Sequence, residues 1–398
     1  MNPVKFVLAA LTVVAVVVIG LLAGYQRTQI VQRGYRGLAM NELFSDSYIA
    51  KEDVINKFPK PLGPAKTDGP TAAETYENVQ VLGDLSKSQF ARTMLSIKQW
   101  VAPDVGCNYC HAAPVYSADD KYTKRVARKM IAMTRHINTD WKQHVGKTGV
   151  TCFTCHRGKP VPARLWFSSP TPDNGLLQHR AIMRPPTAAA AYTNLPADAL
   201  TDYLLHDDPI RVNGTTALQS GNRNSVLHAK DTYTLMMVMS ESLGVNCTFC
   251  HNTRAFYSWD LSTPQRATAW YGIRMVRDLN NTVMLPLKAE LPANRLGPTG
   301  DVPKIYCATC HQGSNKPLYG APMLQYYPEL VRPATAANTE PASPGSPPAS
   351  PAQPATGTSA STTAAPSTVP AAAVPAPARP SAGTAAVTSV AAAVTGGE

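Results

Sequence analysis

Cys107-Asn-Tyr-Cys110-His111 returns in kind as Cys152-Phe-Thr-Cys155-His156, Cys247-Thr-Phe-Cys250-His251 and Cys307-Ala-Thr-Cys310-His311, and these four copies use all eight cysteines of the chain. CxxCH is the covalent attachment site of a c-type haem. The two thiols form thioethers with the porphyrin vinyl groups, and the adjacent histidine supplies the proximal iron ligand. Paired CxxC units alone could hold zinc, but zinc gives no reason for a histidine after every second cysteine. A redox-active CxxC of thioredoxin type is expected once, beside a βαβ pattern, and a disulfide framework has no reason to repeat this spacing. The motifs therefore imply four covalently bound c-type haems, with His111, His156, His251 and His311 on the irons.

A six-coordinate haem needs a second axial ligand, so the segments ahead of the motifs matter next. Phe90, Met94 and Ile97 lie at helical spacing, with Ser86 or Ser88 available as cap. Val126, Met130, Met133 and Ile137 form a second stripe. The third has Leu235, Met236, Met239 and Leu243, with Met237 beside them, and the fourth is Ala269, Ile273, Val276 and Leu279. A methionine on an apolar helix face is ordinarily core packing. Beside a haem attachment site its thioether is also one of the usual sixth ligands. Since each haem replaces a piece of core, short ligand-bearing helices joined by long loops suffice. The expected fold is mainly α with extensive irregular chain.

An internal repeat narrows the choice of ligands. Ile131-Ala-Met-Thr-Arg-His-Ile-Asn138 lines up with Ile273-Arg-Met-Val-Arg-Asp-Leu-Asn280, and in that register Met94 falls on Met236 while Met130 falls on Gly272. Two pseudo-repeated dihaem halves follow, 25–186 with the first two haems and 187–332 with the last two. If Met130 ligates the second haem, the fourth has no equivalent methionine, and a histidine is the natural substitute. His136, His144, His179, His206 and His228 remain after the proximal four. His144, just ahead of the second motif, leads, with His136 next.

The ends of the chain read differently from its body. Residues 6–24 are apolar and uncharged and reach about 28 Å as a helix, close to the hydrocarbon thickness of a bilayer. Residues 1–24 are thus expected to be an N-terminal membrane anchor, a transmembrane helix, with a cleaved signal segment as the alternative. Leu22-Ala23-Gly24 resembles the start of a lipoprotein box, but Tyr25 stands where such a box needs cysteine. Haem attachment takes place outside the bacterial cytoplasm, so the body is expected in the periplasm. Residues 333–398 are mostly Ala, Pro, Ser, Thr, Gly and Val, with Glu340, Arg379 and Glu398 as their only charges, and are expected to form a disordered tail. The formal charge of +11 comes from 37 Lys+Arg against 26 Asp+Glu. Its cations are scattered, which argues for no nucleic-acid partner, and haem propionates would offset much of it.

The segment from Tyr76-Glu-Asn-Val-Gln-Val-Leu-Gly83 through Cys110-His111, and Ser262-Thr-Pro-Gln-Arg266-Ala-Thr-Ala-Trp270-Tyr-Gly272 on to Asn280, closely resemble the tetrahaem cytochrome c subunit of purple-bacterial photosynthetic reaction centres. The resemblance covers roughly 25–332. It implies methionine as sixth ligand on three haems, at Met94, Met130 and Met236, and His144 on the fourth. It implies an electron-transfer subunit rather than an enzyme. A soluble donor, either a small cytochrome c or a high-potential iron–sulfur protein, refills the row of haems. The third haem reduces the photo-oxidised special pair on the reaction-centre core subunits. Arg266 matches a family arginine near the third haem, where a cation would raise the potential. One departure is Tyr25, where lipid-anchored members have cysteine, so the anchor must differ. A multihaem reductase would need an iron with an open position, and here each has a plausible protein ligand. A soluble shuttle cytochrome is disfavoured by the apolar N-terminal segment.

Overall fold

The computed structural model describes residues 3–24, 27–33, 40–168, 195–196, 198–212 and 225–333. These are mostly helical, and each of the four CxxCH motifs follows one long helix. Lys87–Val101 starts on a capping box in which Ser86 Oγ accepts from the Gln89 amide at 3.1 Å and the Gln89 side chain accepts from the Ser86 amide at 3.1 Å. Tyr122–Asp140 follows the first motif. Val226–Leu243 is capped by Ser225 and stops at Gly244, whose φ of 61° is left-handed. A Cβ on Gly244 would lie 2.1 Å from the Gly313 carbonyl oxygen, so this turn packs directly on the fourth motif's exit. Pro264–Leu279 begins with proline in its first turn and continues into a π-turn, Asn280–Met284.

Among the described residues the one sheet is a hairpin, Thr28–Arg33 antiparallel to Met40–Ser45, with Ile30 opposite Leu43. Before it, Pro3–Gly24 is a single helix. Its stretch Pro3–Leu21 has mean hydropathy 2.7 and is long and apolar enough to cross a membrane. A membrane anchor and a signal segment share that property. The tail after Pro333 and the division between halves at 186/187 lie outside the described residues, as does His179.

The largest core joins the helices Tyr122–Asp140 and Pro264–Leu279 through Met133, Ile137, Trp141, Ile273, Val276 and Leu279. The stripes read on these two helices are therefore packed faces; on Val226–Leu243 only Leu235 of its stripe is buried, and the stripe on Lys87–Val101 is not the buried face. There Phe90, Met94 and Ile97 are only partly buried, and the buried residues are Arg92, Thr93, Ser96 and Trp100. The polar members of that face are satisfied internally, Thr93 Oγ1 donating to Gln89 O at 2.8 Å and Ser96 Oγ to Arg92 O at 2.9 Å. Arg92 has its own partners, which the periodicity of apolar residues cannot reveal.

Two buried amides fix the approach to the second and fourth motifs. Asn138 donates to Val150 O and Leu330 O, both at 3.0 Å, and accepts from the Val150 amide at 2.8 Å. Asn280 donates to Ile305 O at 2.9 Å and Leu204 O at 3.1 Å, and accepts from the Ile305 amide at 2.9 Å. Val150 and Ile305 each stand two residues before the first cysteine of their motif. Asn280→Leu takes the side-chain partner from the Leu204 carbonyl and the Ile305 amide, each loss costing about 1–3 kcal/mol, while Ile305 O keeps the Trp166 indole at 3.1 Å. Thermal unfolding of the holoprotein should show a fall in Tm several times that of the exposed control Asn281→Leu; equal shifts would refute the bracing role.

Candidate functional site

The four motifs adopt two local forms. The first and third lie in 3₁₀ turns, Gly106–Tyr109 and Cys247–Phe249. The second and fourth are single α-turns, Cys152–His156 and Cys307–His311, each closed by a left-handed residue, Arg157 at φ 51° and Gln312 at φ 46°. In every motif the histidine is locked by its Nδ1. His111 pairs with Tyr116 O at 3.0 Å and His251 with Phe256 O at 2.9 Å. His156 pairs with Lys159 O and His311 with Ser314 O, both at 2.9 Å. A carbonyl can only accept, so Nδ1 carries the proton and Nε2 keeps its lone pair, the tautomer an iron ligand needs. Burial holds His156 and His251 below the ordinary imidazole range and pushes His311 down to about 4, which keeps the rings neutral.

The thiols point the same way. Burial pushes Cys110, Cys152 and Cys250 up to about 11 and Cys307 up to about 12. Such surroundings disfavour the thiolate that thiol–disulfide exchange needs, while Cys310, hydrogen-bonded by Cys155, is shifted the other way. A CxxCH pair of thiols beside a histidine held with Nε2 free fits covalent c-type haem. The second and fourth motifs abut each other. Arg157 donates to Cys310 O at 3.1 Å, and Gln312 returns a bond to Cys155 O at 3.3 Å.

His144 is placed by two elements. It sits in the short helix Lys142–Val145, and its Nδ1 pairs with the Thr268 carbonyl at 2.9 Å on Pro264–Leu279. Its ring rests on Gly272, where a Cβ would lie 2.6 Å from Cε1 and 2.8 Å from Nδ1. The His144 and His311 ring centroids are 6.0 Å apart. Two imidazoles facing one iron through Nε2, with bonds of about 2 Å each, need about that separation. His136 is excluded as a ligand because both its ring nitrogens are occupied by carboxylates, Nδ1 by Asp140 and Nε2 by Asp278 at 2.6 Å. His206 is exposed, and His228 Nε2 engages Pro209 O.

Met284 and Met323 are buried packing residues, 5% and 1% exposed. Met94 and Met130 instead lie half-buried at core margins, and Met236 is half-buried while its neighbour Met237 is 46% exposed. Arg266 packs beside the third motif. It stacks at 4.1 Å over Trp259 and donates to Ser258 O at 2.6 Å and Ser262 Oγ at 2.8 Å, and burial lowers its pKa from the ordinary value. Sequence reading misses the Thr268 carbonyl, which leaves no trace in residue type, and the crossed contacts of Arg157 and Gln312.

Residues 24–331 match the family model of the photosynthetic reaction centre cytochrome C subunit. The chain is 49% identical to the photosynthetic reaction center cytochrome c subunit of Rubrivivax gelatinosus, over 81% of this chain and 89% of that one. It is 46% identical to that of Thermochromatium tepidum, over 78% of each. To that of Roseobacter denitrificans it is 42% identical over 65% of this chain and 73% of that one.

Proposed function

Because the chain belongs to the photosynthetic reaction centre cytochrome c subunit family, an electron-transfer component that carries c-type haem, we propose that it is a membrane-anchored periplasmic relay of four haems. It takes electrons from a soluble donor, a small cytochrome c or a high-potential iron–sulfur protein, and delivers them to the photo-oxidised special pair. The membrane association expected of a reaction-centre subunit agrees with the apolar Pro3–Leu21 stretch. The observation that carries the reading is His144, seated on Gly272 and opposed to His311, with every CxxCH histidine held in the ligating tautomer.

Bound haem supplies one-electron iron chemistry, and the chain decides at what potential. Cys107 with Cys110, Cys152 with Cys155, Cys247 with Cys250 and Cys307 with Cys310 would hold the four groups. His111, His156, His251 and His311 would be proximal ligands, paired with Met94, Met130, Met236 and His144. Thioether ligation favours the reduced iron relative to imidazole. The Met94, Met130 and Met236 sites should therefore lie higher than the His144 site. Arg266, desolvated beside Cys250, adds a positive charge at the third site that opposes oxidation there. The matched amide braces of Asn138 and Asn280, and the crossed bonds of Arg157 and Gln312, support two related dihaem halves.

A single flash given to membranes holding the reduced protein should oxidise a c-type haem within microseconds, seen as loss of its α-band. A special pair that stays bleached while every haem remains reduced would overturn the reading.

A further inference from the structure

The helices Tyr122–Asp140 and Pro264–Leu279 meet at one polar contact. In the register that aligns Ile131 with Ile273, His136 falls on Asp278, so the two residues occupy equivalent positions and pair with each other, Nε2 to Oδ2 at 2.6 Å. Identical residues there would repel or compete; a histidine facing an aspartate does not. Trp141 Nε1 donates to the same Asp278 oxygen at 3.0 Å, and Trp141 immediately precedes the short helix that carries His144. On both helices the contact stands six residues beyond the proposed haem-facing position, Met130 on one and the Gly272 seat on the other.

The other ring nitrogen faces Asp140, one turn further along the same helix. A neutral imidazole has one N–H and one lone pair, so it can donate to only one of two carboxylates. Against the second it would set lone pair against lone pair. Both contacts together require the imidazolium. The remaining charges agree with this. Arg332 pairs with Asp140, Arg135 is held by Asp84 through two bonds of 2.7 Å, and Lys129 lies 3.7 Å from Glu290. These three cations share a groove with His136; Arg135 is neutralised by Asp84, Lys129 shares Glu290 with Arg125, and Arg332 shares Asp140 with His136, leaving Asp278 as the carboxylate that only His136 among these cations faces.

We propose that His136 is a positioning residue, a proton-dependent latch that keeps the two ligand helices in register and so keeps His144 on its seat. The inference rests on His144 as a haem ligand. Hydrogen bonding to Asp278 outweighs burial and raises His136 above its ordinary value of 6.5. For a raised folded-state value the stabilisation is complete below 6.5 and is lost as pH rises through the folded-state value.

The test uses the holoprotein and its His136→Gln and Asp140→Asn variants between pH 6 and pH 10. Thermal unfolding and the low-spin bis-histidine signal in magnetic circular dichroism are followed together. The wild type should lose stability and part of that signal in a single one-proton step above 6.5. His136→Gln should be less stable at pH 6 and show no such step. Asp140→Asn lets a neutral His136 donate to Asp278 alone, so it should keep the helix contact and the bis-histidine signal across the range and show a smaller stability step than the wild type. A wild type without the step, or a His136→Gln variant that retains it, overturns the latch. His144→Met is measured alongside. If that variant keeps the bis-histidine signal, the ligand assignment fails, and the unfolding data still decide the latch.

Discussion

Replacing Gly272 by valine should convert one haem of the four from low-spin bis-histidine to a high-spin or mixed-spin form and raise its midpoint potential, with all four haems still attached. Already a Cβ at 272 would lie 2.6, 2.8 and 3.2 Å from three atoms of the His144 ring, and valine adds two further methyl groups toward it. The helix is held in place from this position onward, because Ile273, Val276 and Leu279 are buried in the main core. The imidazole must leave and gives up the Thr268 carbonyl as well. Imidazole stabilises ferric iron more than a thioether or water does, so the shift should take up a substantial part of the roughly 0.8 V range that axial ligation commands. His144→Met is the companion variant. It restores six-coordination and should give a low-spin haem at raised potential. Unchanged spectra and an unchanged redox titration in Gly272→Val would show that His144 is not the ligand.

The attachment chemistry was legible in the sequence because CxxCH fixes three reacting atoms within five residues, with no help from the fold. The apolar stripes of Tyr122–Asp140 and Pro264–Leu279 were legible for a similar reason, since period and hydrophobicity alone select a buried face. Gly272 was visible as the place where a methionine fails to repeat. That it forms a seat for His144 was not, because the two residues are brought together by the core and not by sequence spacing.

Polar interior contacts were the least legible. Asp278 and His136 look like surface residues of two amphipathic helices, and only their meeting gives them a role. Thr268 and Ser314 contribute backbone carbonyls, for which any residue type serves. Arg92 is the largest omission. Its helix reads as amphipathic around Phe90, Met94 and Ile97, yet the most deeply committed side chain on it is a cation.

Replacing Arg92 by methionine should cost about 3–5 kcal/mol, the usual penalty for leaving one partner of a buried ion pair alone. Arg92 and Glu329 are 7% and 6% exposed and pair directly. The same guanidinium donates to Gly63 O and Tyr326 O at 2.7 Å and to Leu62 O at 2.9 Å, and it lies 4.1 Å over the Tyr327 ring. Tyr327 in turn packs edge-on against Trp100 at 4.6 Å and accepts from the Leu62 amide at 3.1 Å. One side chain thus ties the 62–63 segment and the segment after the fourth motif to the helix that carries Met94. Glu329 and Leu330 also offer carbonyls to Arg135 and Asn138 on the next helix, so the loss should spread through the first half. Against a total stability of about 5–15 kcal/mol, the variant should unfold at markedly lower temperature. The double variant Arg92→Met/Glu329→Leu separates the two causes. If the stranded carboxylate dominates, the double variant recovers much of the lost Tm. If the three abandoned carbonyls dominate, it recovers little, and the role of Arg92 is that of a backbone clamp whose charge is incidental.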